Sequence, residues 1–99
     1  MCGIAGVTGP SSDGSNVAQK MINAIRWRGP DELNGWSNEN KTVHFAHARL
    51  AIQDLSTAGS QPMISHCGNY HIIFNGEIYN HLTLRNTIVR KWRGSSDTE

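Results

Sequence analysis

The chain has 99 residues, of which 37% are hydrophobic and 17% are charged, a mixture typical of one soluble folded domain and not of a disordered or fibrous chain. Its formal net charge of +1, with acidic and basic residues interspersed, argues against nucleic acid as a partner. No apolar stretch approaches the roughly 20 residues that span a bilayer, and the N-terminus lacks the order of a signal peptide. We therefore expect a cytoplasmic protein with no membrane partner.

The first predicted elements are a short strand and a helix. Residues 4–7 are apolar between glycines, which favours a buried strand that would fix Cys2 in place. Asn16 is predicted to cap a helix whose apolar residues recur with helical spacing at Val17, Met21, Ala24 and Ile25. The helix is expected to end at residues 28–30, because Gly29 permits a left-handed cap and Pro30 cannot continue the hydrogen-bond ladder.

The middle of the chain changes to strand patterns and then to a loop. Alternation of apolar and polar residues predicts strands at residues 35–37 and 42–48. Residues 53–69 are rich in Ser, Thr, Gly and Pro, so we expect a long surface loop, pinned by Leu55 and Met63.

The last third predicts a strand, a turn and a helix. Residues 70–74 favour a buried strand that breaks at Asn75-Gly76. A second amphipathic helix is expected to run to about residue 92, with its apolar face at Ile78, Leu82, Val89 and Trp92. Residues 96–99 have the spacing of a capping box, which predicts that a third helix begins there and that the domain is unfinished.

Cys2 directly follows the initiator methionine. Removal of Met1 would place a thiol and a free α-amine on one residue, and an amine of pKa near 8 can take the thiol proton and later protonate a leaving group. The thiolate is a strong nucleophile. Taken alone, the pattern favours the alternative that Cys2 is a small buried apolar residue.

Six segments along the chain set Cys2 in a wider pattern. They are Cys2-Gly3-Ile4-Ala5-Gly6, Arg28-Gly29-Pro30-Asp31, Arg49-Leu50-Ala51-Ile52, Gln61-Pro62-Met63, Asn75-Gly76-Glu77-Ile78-Tyr79-Asn80 and Ser96-Asp97-Thr98-Glu99. In order and approximate spacing, residues 2–99 resemble the class II glutamine amidotransferases. The second and fifth segments resemble the asparagine synthetase branch more than the phosphosugar or purine branches.

The resemblance implies a fold, a reaction and partners. The fold is α+β, with residues 1–99 as the N-terminal portion of a four-layer α/β/β/α sandwich of the N-terminal nucleophile hydrolase type. The reaction is hydrolysis of L-glutamine to glutamate and ammonia through a γ-glutamyl thioester on Cys2. The ammonia is destined for an ATP-dependent, asparagine synthetase-like step.

Residues 1–99 contain no synthetase domain. The expected partners are therefore L-glutamine and the missing C-terminal half and synthetase domain, or a partner chain that supplies them. No cofactor is expected in this region, since ATP and magnesium belong to the synthetase domain. Self-association into a homo-oligomer stays open.

The resemblance also assigns an oxyanion hole. The Asn75 side-chain amide and the Gly76 backbone N–H are implied as donors to the oxyanion that forms during attack on an amide, and glycine permits close approach of the backbone. The alternative is an ordinary Asn-Gly turn between a strand and a helix.

A further set of residues is implied in binding glutamine. The planar fork of Arg49 would grip the α-carboxylate, helped by backbone groups of Leu50 and Ile52. Asp97, with Glu77 as a second candidate, would receive the α-ammonium. Alternatively, Arg49 is a strand-surface residue paired to Asp54, and Asp97 favours a helix N-terminus.

Residues 28–31 are expected to support the site without reacting, because Gly29-Pro30 fixes a turn and Asp31 can accept from backbone amides, with Arg28 completing the segment. His47 is interpreted as a half-buried strand histidine and not as a base.

Cysteine and histidine usage leaves two further alternatives. Cys2 and Cys67 are expected to be thiols. A zinc or redox module using His44, His66, Cys67 and His71 is a minor alternative, because the odd spacing of His44 and His47 on a strand points their rings to opposite faces. A catalytically silent remnant that acts only as a binding or interaction fragment is the main alternative function.

Overall fold

The computed structural model describes residues 1–10 and 12–99. The elements in chain order are β1 (Gly3–Thr8), α1 (Gly14–Ala24), a 3-10 turn (Arg26–Arg28), β2 (Glu32–Ser37), β3 (Val43–Arg49), a 3-10 turn (Thr57–Gly59), β4 (Met63–Ile64), β5 (His71–Ile72) and α2 (His81–Thr87). The arrangement is a small α+β domain with antiparallel sheets. None of the helices in the described residues is both long and apolar enough to span a membrane.

A three-stranded antiparallel sheet forms the centre, with β3 between β1 and β2. Gly3 pairs with Ala48, and Glu32 pairs with Arg49. The start of β1, the start of β2 and the end of β3 therefore lie at the same end of the sheet. The predicted strands at residues 4–7, 35–37 and 42–48 are confirmed within slightly different bounds, but the first is buried on one face only, since Ile4 is exposed. This register brings Cys2 beside the end of β3.

Helix α1 covers one face of the sheet. Its buried positions Ala18 and Ile22 pack against alanines of the strands, and the buried cluster consists of Ala5, Ala18, Ile22, Ala46 and Ala48. The predicted apolar face was wrong, because Val17 and Met21 are exposed. Small alanines let the helix approach the sheet closely, and this favours the face one residue further along.

The bounds of α1 also differ from the prediction. Asp13 occupies the cap position, and Asn16 lies inside the helix, where its amide donates to the Asp13 carboxylate at 2.7 Å. The helix ends at Ala24, before the 3-10 turn. Gly29 is not a left-handed cap, since its φ is −146°.

The segment from 53 to 74 contains little regular secondary structure, namely one 3-10 turn and the two short strands β4 and β5. Leu55 is exposed and pins nothing, whereas Met63 is buried as expected. The predicted strand over 70–74 is reduced to the two residues of β5, which pair with β4. Tyr70 is exposed, so the expected burial is absent at that end. A stacked contact between Trp36 and His71, with ring centroids 3.9 Å apart, joins this hairpin to the central sheet.

Helix α2 is shorter than predicted and ends at Thr87 instead of residue 92. It buries none of its residues, and Ile78, Leu82 and Val89 are exposed. An amphipathic segment that buries none of its apolar residues gains little from its periodicity, which explains the early end.

No helix begins at residues 96–99 in the structure. Tertiary contacts take the place of the predicted capping box. The Glu99 carboxylate accepts from the N–H groups of Arg93 and Gly94, and the Asp97 carboxylate accepts from the N–H of Ile78 at 2.7 Å.

Candidate active site

An open cavity of about 330 Å³ lies at the end of the sheet where β1 begins and β3 ends. Its walls come from the chain start, the end of β3 with the following loop, the segment at 74–79 and the segment at 96–98. Every residue that the sequence assigns to catalysis or glutamine binding lines it, namely Cys2, Arg49, Leu50, Ile52, Asn75, Gly76, Glu77 and Asp97. The folding of the chain thus brings together residues separated by up to 95 positions in the sequence.

Cys2 is half-buried and lies against the backbone that follows β3. Its sulfur is 3.4 Å from the Leu50 nitrogen and 3.7 Å from the Leu50 oxygen. The Nε–H of Arg28 donates to the Cys2 carbonyl at 3.0 Å. Arg28 thus holds the backbone of Cys2 and Leu50 contacts its sulfur, while Met1 is exposed and lines the cavity.

Residues 28–31 lie behind the cavity and do not line it. A Cβ on Gly29 would be 2.2 Å from the Ala48 carbonyl oxygen, so only glycine fits where this segment crosses β3. The Asp31 N–H donates to the Arg49 carbonyl at 3.0 Å, and the Asp31 carboxylate accepts from the Ala51 N–H at 2.8 Å. Close approach, and not a left-handed cap, is the reason for glycine at position 29.

Arg49 is buried at the end of β3. One terminal nitrogen contacts the Glu32 carboxylate at 3.2 Å and the Ser60 hydroxyl at 3.3 Å. The other donates to the carbonyl of Asp54 and, at 2.9 Å, to that of Ser56. Arg49 is therefore not the exposed strand residue of the alternative interpretation, and its carboxylate partner is Glu32 instead of Asp54.

Glu32 was missed by sequence reasoning. Burial acts to raise the pKa of its carboxyl, but hydrogen bonds from Asn34, Ser60 and Arg49 outweigh burial and lower the pKa below its ordinary value. The carboxylate is thus charged at neutral pH and holds Arg49 in place. No motif marks Glu32, since its partner lies 17 residues away.

The segment Phe74-Asn75-Gly76 forms another wall. A Cβ on Gly76 would lie 2.7 Å from the Phe74 ring, so this turn requires glycine. Across residues 1–10 and 12–99, no group accepts a hydrogen bond from the Asn75 side-chain amide or from the Gly76 N–H. Two unengaged donors therefore occur on consecutive residues that line the cavity.

The acidic side of the cavity contains Glu77 and Asp97, connected through Gln53. The Gln53 amide donates to the Glu77 carboxylate at 3.4 Å and accepts from the Asp97 N–H at 3.2 Å. Sequence reasoning missed Gln53, because its two partners are 24 and 44 residues away.

Asp54 fastens the loop after β3 to the C-terminal segment. Its carboxylate accepts from the hydroxyl and N–H of Ser56, at 2.6 and 2.8 Å, and from the N–H of Ser95 at 2.7 Å. The Ser56 hydroxyl first, followed by the Ser95 and Ser56 N–H groups, lowers the pKa of Asp54 to about 2. The carboxylate is therefore charged throughout the neutral range, which keeps these acceptors strong.

His47 lines the cavity and is fully buried instead of half-buried. Burial lowers the pKa of its ring, which favours the neutral form at neutral pH. His44, three residues earlier, contacts Gly14 of α1 on the other face of the sheet, the divergence that their spacing predicts.

The structure also describes the surroundings of the remaining candidate ligands. Cys2 and Cys67 are both free thiols. Within the described part of the chain, no group of three or more His, Cys, Asp or Glu side chains is placed to hold a metal ion.

Comparison with known proteins gives consistent results. A family model described as the glutamine amidotransferase domain matches residues 1–99. The chain is 32% identical to amidase chry2 of Gibberella zeae over 113 residues, and 37% identical to asparagine synthetase (glutamine-hydrolyzing) 1 of Arabidopsis thaliana over 105 residues. It is 38% identical to a probable asparagine synthetase (glutamine-hydrolyzing) of Schizosaccharomyces pombe over 104 residues.

Each of these alignments covers 100% of this chain but only 17%, 17% and 18% of the respective relative. The chain thus spans less than a fifth of the length of each of these three relatives. Its similarity to them runs from the first residue to the last and includes the whole cavity. The chain belongs to the glutamine amidotransferase domain family of enzymes.

Proposed function

We propose that the cavity binds L-glutamine and hydrolyses its side-chain amide to glutamate and ammonia. One observation supports this most strongly: all eight residues assigned to catalysis and glutamine binding line a single cavity of about 330 Å³. Membership of the glutamine amidotransferase domain family gives the same reaction class. We place this reaction in the cytoplasm.

Cys2 is the proposed nucleophile. Once Met1 is removed, the α-amine of Cys2 takes the thiol proton, and the thiolate attacks the amide carbon of glutamine. The amine then returns the proton to the nitrogen as the C–N bond breaks, ammonia leaves, and a γ-glutamyl thioester remains on the sulfur. Water attacks the thioester, which releases glutamate and restores the thiol. The bonds to Arg28 and Leu50 keep Cys2 fixed through these steps.

The oxyanion formed at each attack is proposed to accept from the Asn75 amide and the Gly76 N–H. Both donors lack protein acceptors in the described residues, so neither must break an existing bond to serve the reaction. Donors set in place before the reaction stabilise charge without reorganisation, and one such donor contributes a factor of about 10² to 10³ in rate.

Glutamine would be oriented by charges on opposite sides of its α-carbon. Asp97 and Glu77 are proposed to bind the α-ammonium, and Arg49 with the backbone of residues 50–52 the α-carboxylate. The terminal nitrogens of Arg49 already donate to four protein acceptors. We therefore propose that Arg49 acts through its positive charge and its hydrogen bonds to the loop after β3, and not through bidentate hydrogen bonds to the α-carboxylate.

We also propose that residues 1–99 form part of a four-layer sandwich of the N-terminal nucleophile hydrolase type. Exposed apolar residues on and beside α2 support a further layer. Relatives named asparagine synthetase are several times longer, and a synthetase region like theirs is the proposed consumer of ammonia, with ATP and magnesium bound there.

A glutaminase assay with matched cysteine variants tests the proposed reaction. Cys2→Ser is expected to abolish ammonia release, because a hydroxyl is a far weaker nucleophile than a thiolate. Cys67→Ser, which removes the other free thiol, is expected to leave the rate unchanged. Ammonia release that survives Cys2→Ser would contradict the proposal.

A catalytically silent binding fragment is the second candidate, favoured by the many exposed apolar residues of the last third of the chain. Such a fragment would bind glutamine without releasing ammonia. The same assay, combined with calorimetric titration of glutamine, separates the two functions.

A further inference from the structure

Gln61 is a buried side chain that joins two walls of the cavity. It is 6% exposed and lines the cavity itself. Its side-chain oxygen accepts from the backbone N–H of Phe74 at 2.6 Å, and its amide nitrogen donates to the Thr98 hydroxyl at 3.1 Å. We call this pair of hydrogen bonds the Gln61 bridge.

The two ends of the Gln61 bridge lie next to different parts of the proposed machinery. Phe74 directly precedes Asn75 and Gly76. Strand β5 has already ended at Ile72, so strand pairing supplies no acceptor for the Phe74 N–H. Thr98 directly follows Asp97. One side chain thus fixes the distance between the two oxyanion donors and the carboxylate proposed for the α-ammonium.

A glutamine side chain suits this position for a chemical reason. It carries one acceptor and one pair of donors in a fixed plane, so it serves an N–H on one side and a hydroxyl on the other. An apolar residue of similar length would leave the part-buried Phe74 N–H without its acceptor, which would loosen the segment that leads into Asn75.

We propose that Gln61 is a positioning residue for glutamine hydrolysis, which it serves by holding the Asn75–Gly76 oxyanion donors at a set distance from Asp97. This inference rests on the proposed function. Gln61 takes no part in bond making. Its two hydrogen bonds act on two separate kinetic quantities: the Phe74 end acts on kcat through the oxyanion donors, and the Thr98 end acts on KM through Asp97.

Two variants distinguish the two ends, because one removes both hydrogen bonds of the Gln61 bridge and the other removes only the bond to Thr98. Gln61→Met removes both hydrogen bonds at nearly constant side-chain length, and we expect kcat to fall by about 10- to 100-fold, since a displacement of reacting groups by about 1 Å has effects of this size. Thr98→Val removes only the hydroxyl that accepts from the Gln61 amide. We expect KM to rise about fivefold with kcat nearly unchanged, because the loss of one neutral hydrogen bond has an effect of this size. Gln19→Met, on the exposed side of α1, is the matched control.

Amide hydrogen exchange at Phe74 provides a readout that does not depend on activity. Gln61→Met should speed exchange at this amide, whereas Thr98→Val and Gln19→Met should not. A protein with only a general structural need for Gln61 would instead lose kcat and thermal stability in proportion, with no separation of kcat from KM between the two variants.

The outcomes distinguish the inference from the function on which it rests. An active wild-type protein whose Gln61→Met variant keeps wild-type kcat, or keeps slow exchange at Phe74, would overturn the role of Gln61 alone. A wild-type protein that releases no ammonia and forms no covalent adduct at Cys2 with a chloroketone analogue of glutamine would overturn the proposed function, and the role of Gln61 with it.

Discussion

At the scale of single residues, the cavity is built by side chains that bind backbone. Arg28 holds the carbonyl of Cys2, Arg49 holds the carbonyls of Asp54 and Ser56, and Gln61 holds the N–H of Phe74. Charged donors and buried acceptors make such bonds stronger than exposed ones. Arg28 and Gln61, which are not proposed to touch glutamine, thus support residues that are.

Gly76 provides a test of this close packing. A Cβ at position 76 would lie within 3 Å of the Phe74 ring, so Gly76→Ala must shift the ring or the turn. We expect kcat for glutamine hydrolysis to fall by about 10-fold or more, because the oxyanion donors move. Gly35→Ala, where a Cβ finds only an ordinary contact at 3.5 Å, is the control in the same assay. Equal kcat values for the two variants would contradict the proposed role of the turn.

Single residues of the site were predictable only where they belong to a motif. Cys2, Arg49, Asn75 and Asp97 stand out because the segments that carry them resemble a known family. The supporting residues Glu32 and Gln53 carry no such mark, and their partners are 17 to 44 residues away. Long-range hydrogen bonds of this kind depend on the whole fold and leave no local pattern.

At the scale of elements, β3 organises the molecule. One of its faces packs on α1, and its end delivers Arg49 and Leu50 to the cavity. The strands of the central sheet were predictable, because alternation of apolar and polar residues is a local signal. The buried face of α1 was not, because Val17–Met21 and Ala18–Ile22 have the same spacing, and only packing against the alanines of the sheet decides between them.

Ile22 and Met21 are neighbours that test which face of α1 is buried. Ile22 is fully buried, whereas Met21 is 45% exposed. We expect Ile22→Ala to lower the free energy of unfolding by about 2–5 kcal/mol, because removal of most of a buried aliphatic side chain leaves a cavity. Met21→Ala should lower it by well under half as much. Urea denaturation of the two variants measures the difference, and a larger loss for Met21→Ala would contradict the observed packing.

Asp54, which fastens the loop after β3 to the segment near Ser95, gives an expected pH dependence. Its folded-state pKa of about 2 lies below the ordinary 3.8, so the unfolded chain binds the proton first as the pH falls. The contribution of Asp54 to stability is complete above 3.8 and is lost as the pH falls toward 2. Asp54→Asn should therefore show a weaker decline of stability in this window than the wild-type protein.

The measurement for Asp54 is urea denaturation at about pH 5 and about pH 3, with the exposed Glu39→Gln as a matched control. The control should decline as steeply as the wild-type protein. An Asp54→Asn variant with the wild-type pH dependence would show that the carboxylate charge contributes nothing to the fold.

At the scale of the whole molecule, buried apolar residues are unevenly distributed. The central sheet and α1 share a buried cluster, whereas α2 buries none of its residues. The segments between β4 and the last residue are held by hydrogen bonds and ion pairs, such as those of Glu99 with Arg85 and Arg93. Sequence patterns therefore predicted the first half better than the second, where periodic apolar residues lack a surface to pack against.

The central claim is that Cys2 is a nucleophile facing a glutamine-binding cavity. Mass spectrometry of the protein after exposure to a chloroketone analogue of glutamine tests it most directly. We expect a mature N-terminus at Cys2, one covalent adduct on the Cys2 sulfur, none on the exposed Cys67, and protection from labelling by excess L-glutamine. A chain that keeps Met1 and carries no adduct on Cys2, or one labelled equally on both cysteines with no protection by glutamine, would contradict the account.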